Sequence, residues 1–205
     1  MRYLTRLALA AAASLLLIAA LGAGTATAGT TLCKANETPC GLGNALTAES
    51  KLEFHTPEQE PLSIAFTTGA EACQAGFTAK MSNSGGKEEN ISGTLENWNF
   101  SCFCPTKVLK PGTFTLESTA GTMNGKFSIS EIEVEINCGI SGPRCLYTDS
   151  FSPAPVLKGG EPAVLAMEEN TLPTTKAGVG ICRLNSTWNG RWELTNYSSL
   201  WVSNG

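Results

Sequence analysis

Two cysteines stand one residue apart in NFSCFCPT (Asn99 to Thr106), the first residues here whose type and spacing could do chemistry. A Cys-x-Cys pair suits three jobs: gripping a metal through thiolates, cycling between dithiol and disulfide, or tying strands together. A closed zinc site needs four ligands, commonly two cysteine pairs or cysteines with histidines at set spacing. The one histidine of the chain, His55, has no cysteine beside it. A redox pair favours Cys-x-x-Cys at a helix start, where the helix N-terminus lowers a thiol pKa, and this stretch reads as strand. The chain is therefore read with no metal ligands and no cofactor, and Cys102 and Cys104 as structural staples. A thiol oxidoreductase at Cys102 and Cys104 is kept as one alternative function.

Two further groups carry potential chemistry. In FSISEIEVEINC (Phe127 to Cys138) the carboxylates Glu131, Glu133 and Glu135 recur every second residue, so a strand places them on one face with neighbours about 7 Å apart. Such a ladder could hold calcium or supply the carboxylate pair of a glycoside hydrolase; a solvated face that discourages edge pairing is the plainer reading. In STWNGRWELTNYSSLWV (Ser186 to Val202), Trp188, Gly190, Trp192 and Leu194 share a face of one continuous strand. That face serves either core packing or stacking against a sugar ring. With Trp98, the tryptophans Trp188 and Trp192 are the candidate ligand-binding residues. There is no G-x-S-x-G and no H-E-x-x-H, so the familiar serine and zinc hydrolase signatures are missing. No catalytic residue is assigned.

The compartment is set by the first residues. Arg2 and Arg6 precede an uninterrupted apolar run, Leu7 to Leu21, and GAGTATA ends in Ala26-Thr27-Ala28, the small-x-small pattern that a signal peptidase reads. Cleavage after Ala28 is expected, giving a signal peptide at 1–28 and a single domain at 29–205. The apolar run is shorter than the ~20 residues of a bilayer span, and no second one follows. The mature chain is thus expected to be secreted, extracellular or at the cell surface, without membrane insertion. Two of the 14 basic residues leave with the leader while all 18 acidic ones stay. An acidic surface without a run of Lys or Arg argues against nucleic acid and anionic membrane as partners.

All eight cysteines (Cys33, Cys40, Cys73, Cys102, Cys104, Cys138, Cys145 and Cys182) lie in the mature part. In an exported chain they read as four disulfides. Cys33 and Cys40 flank KANETP, and Cys138 and Cys145 flank GISGPR; the two loops have the same span and each contains proline. Local staples Cys33–Cys40 and Cys138–Cys145 are expected. Four cysteines then remain. A Cys102–Cys104 bridge needs a kink, because alternate residues of a strand lie about 7 Å apart at Cα, at the outer limit for a disulfide; Cys73 would then pair with Cys182. Otherwise Cys102 and Cys104 reach separate partners, Cys73 taking one and Cys182 the other.

Beyond the leader, short alternating runs recur between Gly, Pro, Asn and Ser clusters, and no helical period is sustained. Strands are expected at Lys51 to Thr56, Leu62 to Thr67, Ala72 to Met81, Ile91 to Phe103, Thr106 to Leu109, Thr113 to Ser118, Gly125 to Cys138, Cys145 to Thr148, Ala163 to Met167, Ile181 to Thr195 and Leu200 to Ser203. Ser82 to Asn90 reads as a hairpin tip and Ser152 to Pro162 as an extended loop. Phe127 and Ile129 share a face, yet Ile132, Val134 and Ile136 run one register out. A bulge or a bend near Ser130 follows, because alternation cannot change phase within a regular strand. The fold class is all-β, a two-layer antiparallel β-sandwich stapled by disulfides, with a β-barrel or jelly roll as the alternative.

TLCKANETPC, the blocks ACQAGF and NCGISGPRCLY, and the ending ICRLNSTWNGRWELTNYSSLWV resemble a set of uncharacterised secreted, disulfide-rich proteins of high-GC Gram-positive (actinobacterial) soil bacteria. The resemblance spans most of the mature chain and implies export and an all-β fold, but no activity. The Cys-Phe-Cys spacing is narrower than in that set, so the resemblance implies no pairing there. The functional expectation is a secreted or cell-surface binding or structural module of unknown ligand, without catalysis, with a glycan or cell-wall component as the candidate partner. An extracellular carbohydrate-active hydrolase using the strand carboxylates is the first alternative.

Overall fold

The computed structural model describes residues 29–66, 69–138, 144–176 and 182–204, of which 175 and 176 by backbone alone. The leader expected at 1–28 lies outside these residues, as does the 139–143 loop. Twelve strands and no helix form among them: β1 (Thr30–Cys33), β2 (Lys51–His55), β3 (Leu62–Ala65), β4 (Ala70–Met81), β5 (Ile91–Ser101), β6 (Thr106–Ser118), β7 (Asn124–Asn137), β8 (Arg144–Asp149), β9 (Val156–Lys158), β10 (Val164–Lys176), β11 (Asn185–Leu194) and β12 (Trp201–Asn204).

Successive hairpins join β3 through β8, and every pairing is antiparallel. The short strands β2 and β3 lie end to end between β4 and β11, and β8 and β9 lie end to end between β7 and β10. Because β10 also pairs with β11, the hydrogen bonding runs all the way round. The sandwich-like all-β architecture expected from the sequence is present, with its layers joined along both sides as in a barrel. A separate ribbon, β1 with β12, packs across the end where β6 meets β7.

Closing so few strands into a ring demands sharp local bends, and three left-handed residues supply them, two of them within bulges. Asn97 in β5, Glu131 in β7 and Glu169 in β10 adopt left-handed φ of 57°, 57° and 55°. At each, the inward-facing set shifts by one residue: Leu95 to Trp98, Ile129 to Ile132, and Met167 to Asn170. The phase change read near Ser130 is the second of these.

The core is one cluster drawn from every side of the ring. Its aromatics touch in sequence: Phe114 stacks on Phe127 (4.8 Å), Phe127 meets Phe54 edge-on, and Phe54 stacks on Phe77 (5.1 Å). Tyr147, fully buried, donates its hydroxyl to the Phe66 carbonyl at 2.7 Å. Trp188 places its indole N–H on Ser186 Oγ at 2.8 Å.

All eight cysteines are bonded, as Cys33–Cys40, Cys73–Cys102, Cys104–Cys138 and Cys145–Cys182. The first staple is as expected. The local Cys138–Cys145 staple is corrected, and so is every scheme that bonds Cys182 to Cys73, Cys102 or Cys104. Cys145 and Cys138 sit on neighbouring strands but at different heights: Cys145 pairs with Ile136 in the ladder, one residue inside the end of β7. Each therefore reaches a cysteine on its other side, Cys104 in the connection before β6 and Cys182 in the segment before β11. The three long-range bridges gather at one end of the barrel, where β4 begins, β5 ends, β6 begins and β7 ends. Each closes a loop of 29, 34 or 37 residues and restricts the unfolded chain by roughly 3.5–4 kcal/mol in the chain-entropy model, against roughly 2.5 for the local staple.

Two measurements check this scaffold. Replacing Cys104 and Cys138 together by alanine is expected to lower the unfolding free energy by about 3–4 kcal/mol in a urea titration; a loss below about 1 kcal/mol would show that this bridge does little. Burial pushes the Tyr147 phenol from 10.0 up to about 12. The unfolded chain therefore gives up this proton first, and stability falls as pH rises from about 10 through about 12. In Tyr147→Phe that alkaline decline is expected to be shallower, with a lower plateau at neutral pH.

Candidate functional site

Only four residues, Cys102 to Pro105, connect β5 to β6, and so short a connection ordinarily keeps a hairpin paired up to its turn. Here the ladder stops early. It runs from Ile91↔Leu116 to Thr94↔Thr113 and no further. Above it, Leu95 to Ser101 pairs with β4 on one side, and Thr106 to Pro111 pairs with β7 on the other. The connection explains the parting: Cys102 is bonded to Cys73 at the start of β4, while Cys104 is bonded to Cys138 at the end of β7. The bridges draw the two strands toward opposite neighbours. Pro111 fits this arrangement, since a strand interior accepts proline where its nitrogen faces no partner strand.

Between the parted strands lies an open groove of about 470 Å³, lined by Glu96, Asn97, Trp98, Phe100, Thr106, Lys107, Val108 and Pro111. The left-handed turn at Asn97 brings Trp98 to the inner side, and Phe100 follows two residues on. Trp98 spans the gap, its indole N–H donating to the Pro111 carbonyl at 3.0 Å. Phe77 stacks against it from the core at 4.4 Å, and Trp192 stands at 73° to it, 6.5 Å away. The Phe100 ring lies parallel to the indole within 5°, centroids 5.9 Å apart. Both keep part of their surface in solvent. Around these rings the polar groups of Glu96, Asn97, Thr106 and Lys107 form a rim.

Of the three tryptophans read as ligand contacts, the structure leaves Trp98 alone at the surface. Trp188 and Trp192 are 1% and 0% exposed; they share one strand face as expected, and that face is turned inward. Phe100 and Phe151 meet Trp188 edge-on, at 5.9 and 5.1 Å. The indole N–H of Trp192 has no oxygen partner and its ring stands at 90° to Phe77.

The Cys102–Pro105 connection is held from several sides. Glu71 Oε2 accepts the backbone N–H of Cys104 at 2.7 Å, and the Phe103 N–H also reaches this carboxyl. Burial pushes the Glu71 carboxyl above the usual range, against the pull of those two N–H groups. Thr106 Oγ1 donates to the Cys104 carbonyl and Asn137 N–H to that of Pro105, both at 3.0 Å. The sulfurs of Cys73 and Cys102 lie near Glu71, and those of Cys33 and Cys40 near Glu37, but sulfur spent in a disulfide offers no thiolate to a metal. The oxidoreductase alternative likewise finds its dithiol divided between two bridges.

The carboxylate ladder faces outward on β7. Glu131 pairs with Lys110 at 2.9 Å and Glu135 with Arg144 at 2.7 Å. Glu133 and Asp149 line a shallow outer groove with Glu131 and Thr148. Lys110 holds the Glu131 carboxyl below its ordinary range, the opposite of what a proton-donating acid of glycoside hydrolysis needs. Comparison of the chain with protein-family models, curated proteins and solved structures gives no match.

Sequence reasoning did not single out Phe100, Val108 or Pro111. A signal was present: Lys110-Pro111-Gly112 reads as a turn between two strands, whereas here it lies within β6, with Gly112 at φ 84°. Fluorescence distinguishes the tryptophans. Trp98→Phe is expected to remove a large share of the emission that acrylamide quenches, while Trp188→Phe leaves the quenchable share unchanged; equal effects from the two would place Trp98 in the core as well.

Proposed function

We propose that this chain is an exported, non-catalytic binding module that takes the ring faces of a glycan in the groove between β5 and β6. One observation carries the reading. An indole and a parallel phenyl ring floor an open groove whose rim is polar. A pyranose ring has apolar C–H faces and a belt of hydroxyls, so it matches an aromatic floor with hydrogen-bonding groups around it. The charges of the rim are mixed, with Glu96 held by Lys51 at 3.1 Å, which suits a ligand of low net charge.

A peptide added as a further strand is the competing use of parted strands. The β6 edge is poorly suited to it, for Pro111 lacks a donor and Lys107 and Lys110 supply the charges by which edge strands avoid pairing. Four disulfides support a setting outside the reducing cytosol, and the leader read at 1–28 supports export.

The test is retention of the mature protein on cellulose, chitin, starch and purified peptidoglycan. Binding to at least one is expected. Trp98→Ala, with its fold confirmed by circular dichroism, is expected to lose about tenfold in affinity, since an aromatic contact and its buried area are worth on the order of 1–2 kcal/mol. Retention on none of the four, or full retention by Trp98→Ala, sinks the proposal.

A further inference from the structure

Phe103, the residue between the two bridged cysteines, is 93% exposed. The other seven phenylalanines are buried or packed against the core. Leaving this ring in water forgoes the stabilisation that burying a phenyl ring brings. It is also presented without slack: Cys102 and Cys104 on either side are bonded to strands on opposite sides, and the Glu71 carboxyl accepts N–H groups from Phe103 and Cys104. A freely moving surface phenyl needs none of these restraints. A contact residue profits from all of them, because ordering completed before binding is not charged against affinity.

The position of Phe103 tells what it would touch. The connection that carries it closes the upper end of the groove, three residues beyond Phe100. Three residues span at most about 11 Å even when fully extended, so the Phe103 backbone lies within that distance of the Phe100 backbone, at the end of the groove.

Resting on the groove reading above, we infer that Phe103 is a second aromatic contact for the same ligand, which is accordingly an extended chain of several sugars. One end of that chain sits over Trp98 and Phe100, and a sugar further along rests on Phe103. The groove alone holds a short piece, and the exposed ring adds affinity only for a chain long enough to reach it.

The experiment measures dissociation constants by calorimetry for β-1,4-linked oligomers of glucose and of N-acetylglucosamine, two and six sugars long. The proteins are the mature chain and its Trp98→Ala, Phe103→Ala and Phe103→Tyr variants. Phe103→Ala is expected to weaken the six-sugar ligand about five- to tenfold, in line with one aromatic contact, and to leave the two-sugar ligand within about twofold. Phe103→Tyr, which keeps the ring, is expected to bind both as the parent does. Trp98→Ala is expected to weaken both lengths. An unchanged six-sugar affinity in Phe103→Ala, or equal losses at both lengths, overturns the inference while the Trp98 result leaves the groove standing. Loss of self-association in Phe103→Ala, seen by sedimentation with glycan affinity intact, overturns it in favour of a contact between copies. If no oligomer binds the parent protein and the polysaccharide screen is also blank, the groove reading itself has failed.

Discussion

Covalent tension between neighbours organises this molecule. A hairpin left to itself pairs along its whole length, because every unpaired N–H and C=O in an interior strand forfeits a hydrogen bond. At the Cys102–Pro105 connection two sulfur bridges oppose that tendency, one pulling β5 toward β4 and the other pulling β6 toward β7. The result is a ring of strands with one gap in its wall. Because the bridges act at the connection, the walls of the gap are fixed at the end where the two strands join. A groove of this kind needs no ligand to open it.

Curvature and core are coupled to the same end. The bulges at Asn97 and Glu169 and the left-handed bend at Glu131 let long strands curve around a small interior while their apolar side chains stay inside. The interior is then filled by rings that touch one another, and the row that begins at Phe114 reaches the groove through Phe77 and Trp98. Trp98 is thus both the outermost member of the core and the floor of the groove. Its indole is held by stacking on one side and by a hydrogen bond to Pro111 on the other, which fixes its orientation before anything arrives.

The all-β class was legible in the sequence because alternation survives in β4, β5 and β7, and because turn residues punctuate it. The phase change in β7 was legible too, since Ile129 and Ile132 cannot share a face in a regular strand; the structure makes it a left-handed bend at Glu131. What escaped was non-local. Whether Cys138 turns to Cys145 or to Cys104 depends on strand neighbours and heights, which spacing along the chain does not encode. The strand β10 runs on past Met167 although Glu168 and Glu169 break its pattern, because a bulge absorbs the extra residue. Trp188 and Trp192 read first as a core layer and second as a platform, and ring closure turns their side of β11 inward. Short β1 and β9 owe their strand character to partners far away in the chain.

The pairing of β1 with β12, in which Thr30 faces Asn204, has a consequence for how the molecule comes to be. The strand synthesised earliest among those described lacks its ladder partner until the latest one has been made. Leu32 and Val202, both wholly enclosed, are brought together only across nearly the entire polypeptide. Contacts of such long sequence separation form late and slowly, so the finished ribbon acts as a completion seal. The ribbon is therefore tied only once the rest of the described chain exists to be enclosed by it.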